Sequence, residues 1–98
     1  MKKMTLLVLP ALFALSTIVN AEPPAKAAIC ASCHGADGKA PIMDTYPKIG
    51  GQNKGYLAGA LKAYRAGERT GGMSAVMASQ SALSDDEIEE LATYFSSK

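Results

Sequence analysis

The sequence is poor in the residues that build most catalytic and metal centres. It has one histidine, His34, two cysteines, Cys30 and Cys33, and no tryptophan. A structural zinc site takes four ligands, mostly Cys and His. Only three such donors exist here, and an acidic residue would have to complete the set. Strands are missing as well, since no run of residues reads as a strand of any length. That removes the βαβ setting in which a Cys-x-x-Cys pair reads as a thioredoxin-like dithiol. No apolar run reaches the ~20 residues that a membrane-crossing helix needs. The longest spans residues 4–19, 16 in all. There is no excess of positive charge either: the formal net charge is +1, so a nucleic-acid partner has no electrostatic footprint.

What is present begins with that apolar run. Lys2 and Lys3 precede it, and Val19, Asn20 and Ala21 close it in a small-x-small pattern. This is the layout of a secretory signal peptide over residues 1–21, cut between Ala21 and Glu22. No cysteine sits at the cut, which argues against a lipoprotein. Removal takes two lysines and leaves residues 22–98, 77 residues with eight basic and nine acidic side chains, a net charge of −1. Such a chain is one domain, near the size at which an apolar core barely outweighs chain entropy. A staple is therefore expected: a disulfide, a metal or a covalent cofactor.

The patterning after the cut is helical throughout. Pro23 and Pro24 suit a first helical turn, and "AKAAICASC" reads as a short alanine-rich helix. Residues 35–52 hold four glycines and two prolines and read as loop. Asn53 is placed to cap the next helix, in which Leu57, Ala60, Leu61 and Tyr64 share one face. "AGERTGG" ends it, and "MSAVMASQSA" is a short helical segment. "SDDEIEELATYF" carries the clearest signals. Ser84 and Glu87 form a capping box, Asp85 and Asp86 suit the first turn, and Ile88, Leu91, Ala92 and Phe95 fall on one face. The expected fold class is all-α.

The chemistry centres on "CASCH". With no strands and no fourth zinc donor, the dithiol and zinc readings lose ground. Cys-x-x-Cys-His is itself the pattern of c-type haem attachment. One helical turn sets Cys30 and Cys33 along one haem edge for thioether bonds, and His34 then reaches the iron. Export agrees with this, and so does the small size. Burying about 400 Å² of apolar porphyrin would stabilise by roughly 10 kcal/mol at most, more than the ~2–4 kcal/mol typical of one disulfide.

Four segments in order, "AAICASCHGADGKA", "YPKIGGQNKGYL", "YRAGERTGGMSAVM" and "LSDDEIEELATYF", resemble the class I cytochromes c. Within that class the chain is most similar to the small single-haem bacterial proteins, over essentially all of residues 22–98. The resemblance implies the cytochrome c fold: three to five helices around one covalently attached haem, the first and last crossing. Ala25, Ala28 and Ala92 are small enough for that crossing. The resemblance further implies that the Pro47 carbonyl accepts the Nδ1–H of His34, and that Gln52, Tyr56 and Arg69 are candidates to bond the haem propionates.

The second axial ligand is not another histidine, since His34 is the only one. Met43, Met73, Met77, a lysine or no ligand remain. Methionine is usual in electron-transfer cytochromes and raises the potential. Met43 is too near His34 in sequence. Met77 is chosen over Met73 because, in similar cytochromes, the ligand follows a G-x-R-x-G-G run after four residues, and "GERTGGMSAVM" fits. The stretch between Met77 and Leu83 is about one residue shorter than in those relatives, which keeps Met73 in play.

An iron with both axial positions filled has no open site for substrate. The expected function is therefore one-electron transfer in the periplasm, not enzymatic catalysis, with no small-molecule substrate. Redox proteins would be transient partners: membrane oxidase or reductase complexes, or other cytochromes of a respiratory chain. The alternative is a five-coordinate haem sensor or peroxidase-like protein, should no methionine bind. The acidic run Asp85–Glu90 and the basic residues Lys48, Lys54, Lys62, Arg65 and Arg69 read as two solvated faces, or as a charge dipole that orients docking.

Overall fold

The computed structural model describes residues 3–5 and 22–98. The expected leader lies almost wholly outside the described residues. Those described fold as four α-helices with no strand: α1 (Ala27–His34), α2 (Lys54–Arg65), α3 (Ser74–Gln80) and α4 (Asp85–Ser96), with a single 3₁₀ turn at Ala36–Gly38 after α1. None of these helices is long and apolar enough to cross a membrane.

α4 is built as its sequence dictates. The Glu87 amide donates to Ser84 Oγ (3.1 Å), and the Ser84 amide donates to the Glu87 carboxylate (3.0 Å). This reciprocal pair satisfies two N–H groups that the first turn leaves without partners. Ile88, Leu91, Ala92 and Phe95 form the buried face. α2 packs chiefly on α4. Of its apolar face only Leu57 is fully buried. Ala60, Leu61 and Tyr64 are half-buried and line a cavity, and Leu61 also packs against the core. Asn53 does precede α2, but its side chain makes no capping bond.

The small residue that α1 buries is Ala27, 3% exposed. Ala25 and Ala28 are exposed, so they do not fill the expected crossing role; Ala27 and Ala92 are the small residues buried in the core. The helix starts at Ala27, after a turn in which the Ala27 amide donates to the Pro24 carbonyl (2.9 Å), one turn later than the prolines suggest.

The loop after α1 folds back on itself at Gly38. The Gly38 carbonyl accepts from the amides of Ile49 (2.8 Å) and Gly50 (3.0 Å), and the Gly51 amide donates to the Phe95 carbonyl (2.9 Å). Gly38 has φ +70°, and a Cβ there would lie 2.6 Å from Ile49 Cγ1 and 3.0 Å from Phe95 Cδ1. Only glycine fits both the backbone and the space.

Charge ties the helices together. Lys26 pairs with Glu87 (2.6 Å), Arg65 with Asp85 (2.8 Å), and Lys54 with Glu89. Three acids of the α4 run are thus met by bases from α2 and from the start of α1. Of the bases singled out from the sequence, Lys54 and Arg65 are met by acids of α4, so the charge dipole is weaker than the sequence suggests.

Candidate cofactor site

α1 sets Cys30, Cys33 and His34 on one wall of a cavity of about 330 Å³, within the range of small-molecule and cofactor sites. Both cysteines are half-buried, and they form no disulfide with each other. Burial pushes the Cys30 thiol up, with the nearby Cys33 adding to the rise. The opposite walls come from α2, through Leu57, Leu61 and Tyr64, from α3, and from the end of α4, through Phe95.

His34 is 6% exposed. Its Nδ1 lies 2.7 Å from the Pro47 carbonyl oxygen. A carbonyl only accepts, so Nδ1 carries the proton, and in the neutral ring Nε2 keeps its lone pair. A metal-binding imidazole needs this arrangement: one nitrogen pinned by a hydrogen bond, the other bare. The Gly38 closure holds the loop that delivers Pro47, so a backbone turn fixes the tautomer.

The structure brings together almost every residue singled out from the sequence. Met73 and Met77 both line the cavity, as do Gln52, Tyr56 and Arg69. Met43 does not line it and is 52% exposed. The Arg69 guanidinium lies over the Tyr64 ring, 4.4 Å from its centroid, which holds a positive charge at the cavity wall.

Two residues near the site were not anticipated. Ser81 is fully buried and donates its hydroxyl to the Met77 carbonyl (2.6 Å). Arg65, counted at first only as a surface charge, donates from Nη1 to the Leu83 carbonyl (3.0 Å). A hydroxyl four residues after a candidate ligand is a readable signal for the first, since serine bonds back to the carbonyl at i−4. Nothing in the sequence marks the second.

These residues fit a planar, mostly apolar group held along one edge by two thiols and from one face by an imidazole. The cavity offers methionine sulfur from Met77 on α3 and from Met73 at its N-cap, with Gln52, Tyr56 and Arg69 among the polar groups at its wall.

Comparison with known proteins agrees with this geometry. The cytochrome c family model matches residues 25–98. Cytochrome c-554(548) of Halomonas halodenitrificans is 45% identical over 74 residues, 74% of this chain and 88% of that protein. Cytochrome c4 of Pseudomonas aeruginosa is 38% identical over 74 residues, 76% of this chain but 35% of that protein. The thiosulfate dehydrogenase electron acceptor of Thiomonas intermedia is 36% identical over 88 residues, 90% of this chain and 40% of that protein. The chain thus spans most of the first relative and well under half of the other two.

Proposed function

The chain belongs to the cytochrome c family, and from that premise we propose that it is an exported carrier of single electrons whose iron is held by His34 and Met77. Electron transfer and a covalent haem c come with the family. The finer statements concern this chain's own residues. Cys30 and Cys33 form the two thioethers. His34 binds through Nε2, with Nδ1–H held by Pro47. Met77 supplies the second axial ligand. When bound, the haem supplies a one-electron couple at its iron.

The observation that carries this reading is the His34–Pro47 hydrogen bond beside two cysteines on the wall of an apolar cavity. It leaves the imidazole poised as a ligand and the thiols placed for attachment. The choice of methionine is supported by burial. Met77 is half-buried in α3, whereas Met73, at its N-cap, is 46% exposed. The apolar walls would keep water from a bound haem and, with a thioether ligand, would favour a raised potential. His34 and Met77 would hold the iron from this chain's own elements, and the group so held would supply a one-electron couple with little rearrangement of the residues around it. Redox proteins are the partners: membrane oxidase or reductase complexes and other cytochromes, docking transiently. The leader over residues 1–21 places the protein in the periplasm, where the haem is attached.

Two measurements on the holoprotein test this. The intact mass should equal residues 22–98 plus one haem that acid–acetone does not extract. A mass without haem, or extraction of the haem, refutes the covalent assignment. The weak far-red band of thioether-ligated ferric iron should be present in the wild type and absent in Met77→Ala. That variant should keep its haem and lose about 100 mV of potential, or ~2.3 kcal/mol for one electron. Met73→Ala should keep both band and potential. The reverse pattern assigns the ligand to Met73.

A further inference from the structure

α3 poses a mechanical problem. It has seven residues, none of them buried, and two turns are too short to be stable in isolation. Yet this helix must hold a ligand at a fixed place on the cavity wall. Its anchors lie just past its C-terminal end, where Ser81 is fully buried and Leu83 is 8% exposed.

From that point a continuous run of hydrogen bonds leads back to the rest of the fold. Ser81 Oγ donates to the Met77 carbonyl (2.6 Å). The Ser81 carbonyl accepts from the Leu83 amide (2.8 Å). The Leu83 carbonyl accepts from Arg65 Nη1 (3.0 Å), and the same nitrogen lies 2.8 Å from Asp85 Oδ1. Met77 is thereby linked to the last turn of α2 and the first turn of α4. Among the described residues, the other end of α3 has no such side-chain fastening. Met73 follows Gly71 and Gly72, both left-handed and with open space around them.

We propose that Ser81 and Arg65 are positioning residues for the second axial ligand, holding the Met77 end of α3 at the cavity so that Met77, and not Met73, binds the iron. This rests on the reading of Met77 as that ligand. The physical reason is the cost of a stranded hydroxyl. Ser81 is sealed in the core, and its bond to the Met77 carbonyl is what satisfies it. Moving residue 77 away from the cavity breaks that bond and leaves a buried polar group without a partner. Arg65 holds the next link, so that the Ser81–Leu83 segment does not shift with α3.

The test is competition by imidazole for the ferric iron of the holoprotein, followed by absorption. Imidazole binds where the thioether leaves, so its apparent affinity reads the strength of the methionine bond. Ser81→Ala removes one atom and keeps the packing. It should raise the apparent imidazole affinity about fivefold to tenfold, the effect of one net buried hydrogen bond. Arg65→Gln, at an exposed position, should move it in the same direction by a smaller factor, and Arg65→Lys should recover part of the loss. Guanidinium denaturation of each variant provides the contrast. A serine that only stabilised the core would lower the denaturation midpoint and leave imidazole affinity at the wild-type value. That result overturns the Ser81 assignment, and an unchanged affinity in Arg65→Gln overturns that of Arg65. The far-red band in Met77→Ala separates the two readings. If the band persists there, the ligand assignment fails and this proposal with it. If it is lost while Ser81→Ala matches the wild type, only the positioning role fails.

Discussion

His34 is fixed by a main-chain oxygen, so the residue that controls it is found elsewhere. The Pro47 carbonyl rides on a loop whose closure turns on Gly38. Gly38→Ala would drive a methyl group against Ile49 and Phe95 at a left-handed φ. The expected cost is ~1–3 kcal/mol, seen as a lower melting temperature of the holoprotein. Because the same loop orients the imidazole, the potential should shift too. A variant that melts with the wild type would show that the loop yields without strain. That Cys30, Cys33 and His34 share one cavity wall was legible because one helical turn fixes their local spacing. Ser81 was not, because the burial of one serine depends on how α3, α4 and the end of α2 meet.

Among the elements, α4 was the most legible, since its cap, its first-turn acids and its apolar face all agree. α1 was the least. In "AKAAICASC" nearly every residue is small and apolar, so no period phases the helix, and Ala27 could not be told from its neighbours. α2 had the right face but a further reason for it: Leu57, Ala60, Leu61 and Tyr64 all line the cavity, and only Leu57 is fully buried. The N-terminus of α4 also sets a pH limit. Lys26, with help from the Ser84 amide, lowers the Glu87 carboxyl from an ordinary 4.5 to about 2. Arg65 lowers that of Asp85. A carboxyl that is more acidic in the folded chain contributes stability above its unfolded value and loses it as pH falls through the folded one. Stability should therefore decline between about pH 4.5 and pH 2. Both groups are exposed, so the loss is modest. Denaturation midpoints across that window provide the check. Glu87→Gln should flatten the decline, and an equally steep decline in the variant would show that other carboxyls cause it.

At the scale of the molecule, the haem acts as the missing core. The described residues bury seven hydrophobic side chains, two of them alanine, which is little to set against the ordering of 77 residues. The cavity walls supply apolar surface that only a bound group can cover. Cys30→Ala with Cys33→Ala should accordingly give a largely unordered chain by circular dichroism. Full helix content with a cooperative melt in that variant would mean that the helices hold without the haem.

The three ion pairs that fasten α4 have one more effect. Side chains already met by an internal partner project little field into solution, and residues 22–98 carry a balance of only −1. Encounter with another redox centre then gains little from long-range steering, whose mark is a rate that collapses as counterions screen it. Electron exchange with a cationic and an anionic small reagent, followed by stopped flow from low to high ionic strength, should change by less than about tenfold, the lower edge of electrostatic rate enhancement. A carrier built this way exchanges with acidic and basic surfaces at similar speed, in fresh water or in brine.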